Sequence, residues 1–263
     1  MLHHRIIGRG APIVLLHGVT LDLRHMMDVM EPGFRAANGV QRIYVDMPGH
    51  GHSAPSAGIK SQDDLLAAVL EFIEQDLQLD RFAIAGLSRG SYIARGVLHH
   101  MPKRVTGAAL IVPGGNPSAD PARLPPVEVI DADPRIAEHL RDDEMWAHEN
   151  LSVVQSWAIA EKRRQIIQPA RALFDSEQEA RVFANFEFSF ADDEAQAIFD
   201  KPSLIVAGRQ DSMSGYLDSM DLMHRFPRAT LAILDTAGHG VGWERPDLFA
   251  SLVRDWVVRM GLA

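Results

Sequence analysis

The stretch Gly86-Leu87-Ser88-Arg89-Gly90 is the part of this chain best suited to covalent chemistry. It follows an apolar run at residues 82–85 that reads as a strand, and it precedes an amphipathic stretch from Ser91 that reads as a helix. A serine that projects from a sheet edge needs a sharp strand-to-helix turn. Such a turn holds the serine at unfavourable backbone angles and crowds the positions two before and two after it. Both crowded positions are glycine here. The helix that follows aims its free N–H groups and the positive end of its dipole at the serine, which favours negative charge there.

Serine at its ordinary pKa is a weak nucleophile and needs a base, itself oriented by an acid. Asp211 ends the run Gly-Arg-Gln-Asp beyond a strand expected at residues 203–207, and His239 sits in Ala-Gly-His-Gly after the last expected strand. Of the twelve histidines, His239 alone lies in a glycine-flanked loop of that kind. Asp120 is the alternative acid, and Asp235 reads as structural. An oxyanion needs two N–H donors, assigned to the amides of Arg89 and Val19, the latter in the turn Leu-His-Gly-Val at residues 16–19. His17 reads as a brace for that turn. His50 and His52 read as residues of a tight loop, so no metal site is expected. Ser88, Asp211 and His239 together would carry acyl transfer without a cofactor.

These groups need a rigid scaffold. Short apolar runs alternate with helix-length amphipathic segments, the pattern of βαβ units feeding a mostly parallel sheet. Strands are expected at 12–16, 41–45, 82–85, 108–112, 203–207 and 230–234, with a leading antiparallel strand at 2–7. Ser61 and Asp64 form a capping box before a stripe of Leu65, Leu66, Val69, Ile73 and Leu77. Pro246 opens a helix whose stripe is Phe249, Leu252, Val253, Trp256 and Val257. The alternation breaks at residues 113–200, where no strand is expected and helices are predicted at 145–154, 157–173 and 177–190. The expected organisation is therefore an α/β core from residues 1–112 and 201–263, interrupted by a helical cap, or lid, over 113–200. Trp146, Trp157 and Phe186 in the lid are candidates to line an apolar substrate pocket.

The chain has 263 residues, a net charge of −9, 46% hydrophobic and 23% charged residues, and no cysteine. That composition belongs to an ordinary globular protein and excludes disordered or collagen-like classes. Disulfides, thiolate metal sites and cysteine nucleophiles are excluded with cysteine itself. The acidic balance argues against nucleic acid as a partner. No apolar run approaches the roughly 20 residues of a membrane span. The N-terminus has no signal-peptide pattern, so a cytoplasmic location is expected. Oligomeric state is left open, a homodimer being one option.

Four landmarks lie in register: the His17-Gly18 turn, the D-x-P-G-H-G-x-S loop at residues 46–53, the glycine-serine turn at 86–90, and the ending Gly238, His239, Glu244, Pro246 and Phe249. With these the whole chain resembles the lidded serine hydrolases of the α/β-hydrolase fold superfamily, including esterases, lactonases and C–C bond hydrolases. The resemblance implies Ser88 as nucleophile, Asp211 as acid, His239 as base, and the Val19 and Arg89 amides as oxyanion hole. It implies a small-molecule substrate and an ester, lactone or thioester bond. The alternatives are C–C cleavage of ring-cleavage diketones and a binding module with a silent triad. A serine at position 88 argues against the aspartate-using dehalogenases and epoxide hydrolases. Arg89 places a charge beside the nucleophile and points to substrates carrying a carboxylate.

Overall fold

Runs of Val, Ile, Leu and Ala form strands here because helices on both faces of the sheet can bury successive side chains. The computed structural model describes residues 1–35, 37–114 and 121–262. Its strands are β1 (His4–Gly8), β2 (Ala11–Leu16), β3 (Val40–Val45), β4 (Phe82–Leu87), β5 (Val105–Ile111), the two-residue β6 (Asp131–Ala132) and β7 (Val154–Gln155), β8 (Ser203–Gly208) and β9 (Ala229–Leu234). Seven of them form one sheet in the order β1-β3-β2-β4-β5-β8-β9. Only β1 is antiparallel, pairing His4 with Val45. The parallel strands lie where the sequence placed them, and the leading strand is shifted to His4–Gly8.

The helices are α1 (Leu23–Phe34), α2 (Gln62–Glu71), α3 (Arg89–His100), α4 (Asp142–Leu151), α5 (Trp157–Lys162), α6 (Gln168–Arg171), α7 (Ser176–Ala184), α8 (Ala191–Gln196), α9 (Leu217–Asp221), α10 (Val241–Glu244) and α11 (Pro246–Arg259). Strand alternation sends Ile13, Leu15 and Ala85 into one core with Met26, Phe249 and Trp256 of α1 and α11. Val14, Leu16 and Ile84 enter the other, with Leu66 and Val69 of α2 and Ile93 and Val97 of α3. Each fully buried side chain of this size contributes about 1.5–3 kcal/mol, so the sheet and its flanking helices form a stiff platform.

The strands β5 and β8 pair directly, Ala108 opposite Ser203, although α4–α8 lie between them in sequence. Three details differ from the expectations for this segment. A short parallel pair, β6–β7, joins Asp131 to Val154. The helix at 157–173 contains a π-helical turn at Arg163–Ile167 and ends at Arg171. The helix predicted to 190 stops at Ala184 because Phe186, Phe188 and Phe190 alternate with polar residues. Period-two aromatics suit an extended chain, and here Phe188 stacks on Tyr92 at 4.2 Å and on Phe190 at 4.8 Å. Among the described residues, no helix is long and apolar enough to cross a membrane.

Candidate active site

Strand β4 ends at Leu87 and helix α3 begins at Arg89, leaving Ser88 alone in the turn with φ 53° and ψ −118°. A non-glycine residue there costs on the order of 1–3 kcal/mol and persists only where its surroundings impose it. The Ser88 N–H donates to the Ile111 carbonyl at 2.9 Å. Beneath it, the Ser91 hydroxyl donates to the Gly86 carbonyl at 2.6 Å and accepts from the Ile111 N–H at 3.0 Å. A Cβ on Gly86 would lie 2.1 Å from the Gly90 carbonyl oxygen, and one on Gly90 would lie 2.2 Å from that of Leu16. Backbone contact therefore dictates both glycines.

Asp211 follows β8 and is fully buried. One of its carboxylate oxygens accepts from the Met213 and Ser214 N–H groups at 2.9 and 3.0 Å. The other lies 2.9 Å from His239 Nδ1. An acceptor-only carboxylate requires the proton on Nδ1, leaving the Nε2 lone pair free to act as a base. Ser214 Oγ lies 3.4 Å from the same Nδ1. Burial opposes a charge on the His239 ring, but Asp211, through charge and hydrogen bond, and Glu244, through charge, outweigh it, so the pKa is raised. Asp120 lies outside the described residues. Asp235 accepts from Gln210 Nε2 at 3.0 Å on the surface, away from this pair.

Sequence reasoning missed what Glu244 does. From α10 its buried carboxylate accepts from the N–H groups of Gly238, Val153 and Val154 at 2.7, 2.8 and 3.2 Å. It thereby ties the His239 loop to β7. The G-H-x4-E spacing was the available signal, because it puts the glutamate on the short helix that follows the loop. His17 braces its turn as expected. Its Nε2 accepts from the Met47 N–H at 3.0 Å, and Nδ1 lies 2.7 Å from the Gly18 carbonyl. Burial pushes its pKa down to about 4, so the brace is uncharged. His50 packs on Phe174 with its Nδ1 3.1 Å from the Pro48 carbonyl.

Two cavities, of about 280 and 800 Å³, share Val19, Thr20, Ser88, Met213 and His239 as wall. Thus Val19 borders both, and Arg89 borders the larger one. Trp146 borders the smaller cavity and Phe186 the larger. Trp157 borders neither: it begins α5, is 41% exposed and packs its ring near His139 at 5.4 Å. The expected charge of Arg89 also changes meaning. Its buried guanidinium forms a bidentate pair with Glu179 of α7, one contact at 3.0 Å, and lies 5.7 Å from the Phe186 ring centre. Its charge is met within the protein. Residues the sequence did not single out complete the walls, among them His25, Arg163, Arg171 and Trp243 in the smaller cavity and Phe174 and Phe183 in the larger. Nothing in their spacing separates them from ordinary helix residues.

The chain is 26% identical over 97% of its length, and 91% of the relative's, to a 2-hydroxy-6-oxononadienedioate/2-hydroxy-6-oxononatrienedioate hydrolase of Pseudomonas putida. It is 23% identical to a pimeloyl-[acyl-carrier protein] methyl ester esterase of Vibrio campbellii, over 97% of this chain and 98% of the relative. Among solved structures, an alpha/beta superfamily hydrolase of Oenococcus oeni superposes with a TM-score of 0.86 at 24% identity, covering 98% of this chain and 96% of the other. The sequence model of the alpha/beta hydrolase fold family matches residues 11–246. A match over that span, on a sheet of this order, establishes that the chain belongs to the α/β-hydrolase fold family.

Proposed function

We propose that this protein is a cofactor-independent serine hydrolase of small to medium carboxylic esters, lactones and thioesters included. The observation that carries the reading is the shared wall: strained Ser88 borders the same cavities as His239, whose Nδ1 is held by buried Asp211. In the first step His239 Nε2 takes the hydroxyl proton as Ser88 Oγ bonds to the carbonyl carbon. The resulting oxyanion accepts from the Val19 and Arg89 amides. As it collapses, the leaving alkoxide takes the proton from His239 and the acyl group stays on Ser88. Water, deprotonated by the same histidine, then releases the acid and restores the serine.

Residues 113–200 act as the cap in this reading, over a core of 1–112 and 201–263, with Trp146 and Phe186 as cap walls. A second reading, C–C bond hydrolysis of a ring-cleavage-type diketone, is favoured by the full-length likeness to the Pseudomonas putida hydrolase. Turnover of nitrophenyl esters, lactones and one vinylogous diketone by wild type and Ser88→Ala tests both. Ester turnover that falls by a factor on the order of 10⁶ in Ser88→Ala supports the ester reading. Turnover of the diketone alone would favour the second.

A further inference from the structure

The smaller cavity beside Ser88 differs from the larger in one respect that the catalytic groups do not explain. Its walls are mostly apolar, with Leu21, Leu151, Ile167, Trp146 and Trp243. Among the described residues no aspartate or glutamate borders it, yet two arginines do, Arg163 and Arg171. Positions 163, 167 and 171 fall four residues apart, so the π-helical turn and α6 present them along one stripe. A π-helical turn often marks a functional site.

Three arginines nearby in this segment have carboxylate partners: Arg141 and Arg164 pair with Glu144, and Arg135 with Asp133. Arg89, in the larger cavity, has Glu179. Arg163 instead donates to the Ser152 hydroxyl at 3.2 Å, and its Nε is buried without a partner. Glu244 is the acidic group whose charge reaches it, but that carboxylate is engaged by three backbone N–H groups and forms no ion pair with Arg163 within the protein. Burial, with the like charge of Arg171, pushes the Arg163 pKa down against the pull of Glu244. His25, whose Nδ1 also lacks a partner, faces the same cavity and is held uncharged by burial, its pKa down to about 4. A charged group taken from water without an ion partner is costly, and arginine is the side chain that meets carboxylates in a two-pronged fashion.

We propose that the smaller cavity is a carboxylate subsite, with Arg163 as its recognising residue and Arg171 supporting it, so that the substrate carries a carboxylate remote from the bond cleaved. The inference rests on the hydrolase reading only in taking this cavity as substrate space. At about 280 Å³ it lies at the small end of ligand pockets, which suits a short carboxylic acid chain rather than a large group. The 800 Å³ cavity, walled by Phe174, Phe183 and Phe186, takes the apolar remainder.

The test is calorimetric titration with adipate and with adipamide, its uncharged analogue of equal length, against wild type, Ser88→Ala, Arg163→Met, Arg163→Lys and Arg171→Gln. Wild type and Ser88→Ala are expected to bind adipate at least about tenfold more tightly than adipamide. In Arg163→Met that ratio should fall to within about threefold of unity, with Arg163→Lys intermediate and Arg171→Gln losing less. Because each ratio is internal to one protein, a general loosening of the site cancels. If Arg163→Met does not fold, Arg163→Lys against Arg171→Gln gives the same ordering. Equal binding of the two ligands by wild type, binding of neither, or a ratio that survives in Arg163→Met would overturn the subsite. Adipate selectivity in a protein that turns over no ester or diketone would leave the subsite standing and remove the hydrolase reading.

Discussion

The loops at the C-terminal ends of β2, β4, β8 and β9 and the helices between β5 and β8 border the same two cavities, but different forces hold them. Around Ser88 and Asp211 the ties are backbone ones: Ser88 N–H to Ile111, Met213 and Ser214 N–H groups to Asp211, and two glycines in van der Waals contact with neighbouring chain. The intervening segment has a few backbone ties to the body, such as Asp175 N–H to the Gly49 carbonyl and Gln62 N–H to the Asn185 carbonyl, but most of its ties are long side chains. Glu194 joins Arg95 and Arg225, Glu179 joins Arg89, Lys162 joins Asp28, and Gln178 Nε2 donates to the Pro48 carbonyl. Backbone ties tolerate little change, which suits groups that must meet a transition state within a fraction of an ångström. Side-chain ties can be exchanged while the sheet stays as it is, which suits a region that sets substrate choice. Changes in the first region should therefore reach kcat, and changes in the second should reach stability, KM and selectivity.

The largest expected effect lies in the body. Asp211→Asn should lower kcat by on the order of 10⁴, because the amide cannot hold the proton on His239 Nδ1; steady-state kinetics on the best ester checks it, and a fall below tenfold would break the division. Glu194→Ala comes next. It leaves the buried Arg225 without its carboxylate, and urea unfolding should show a loss of about 3–5 kcal/mol while surviving enzyme keeps its wild-type kcat. Gly90→Ala puts a Cβ 2.2 Å from the Leu16 carbonyl oxygen. A cost of about 1–3 kcal/mol is expected, with kcat lost as well because the strain bears on Ser88.

Two smaller effects sharpen the contrast. The negative charge of Asp211 favours the doubly protonated His239 ring, whose Nε2 cannot act as a base, so kcat/KM should rise with pH through a midpoint above the ordinary histidine value of about 6.5. Asp211→Asn should move that midpoint down, and an unmoved acid limb would assign it to another group. Last, Lys162→Ala removes a half-exposed partner of Asp28 and should cost less than about 1 kcal/mol by the same unfolding measurement. A larger loss would mean that the segment depends on single surface pairs.

The parallel strands and the turn at Ser88 were legible because each is written into short local patterns. Gly86 and Gly90 are demanded by contacts a few residues away, and a strand of aliphatic residues between two helices has one way to be buried. The pairing of Asp211 with His239 was legible for a related reason, since loops after parallel strands converge at one edge. The segment between β5 and β8 was less so. Its helices are set by distant partners, as when Phe188 leaves helical spacing to stack on Tyr92. Trp157 looked like a pocket residue, but composition cannot say which face of a helix turns inward. Arg89 looked like a free charge because Glu179, ninety positions away, left no local sign. Arg163 gave the opposite problem: within Lys162-Arg163-Arg164 it resembles its neighbours, and only the fold separates it from them.

Covalent chemistry at Ser88 is the claim on which the rest depends, and intact-mass analysis after exposure to a fluorophosphonate reads it directly. The predicted result is a single adduct that peptide mapping places on Ser88, absent in Ser88→Ala and formed much more slowly in Asp211→Asn. No adduct on wild type, or an adduct of equal yield on Ser88→Ala, would contradict the account.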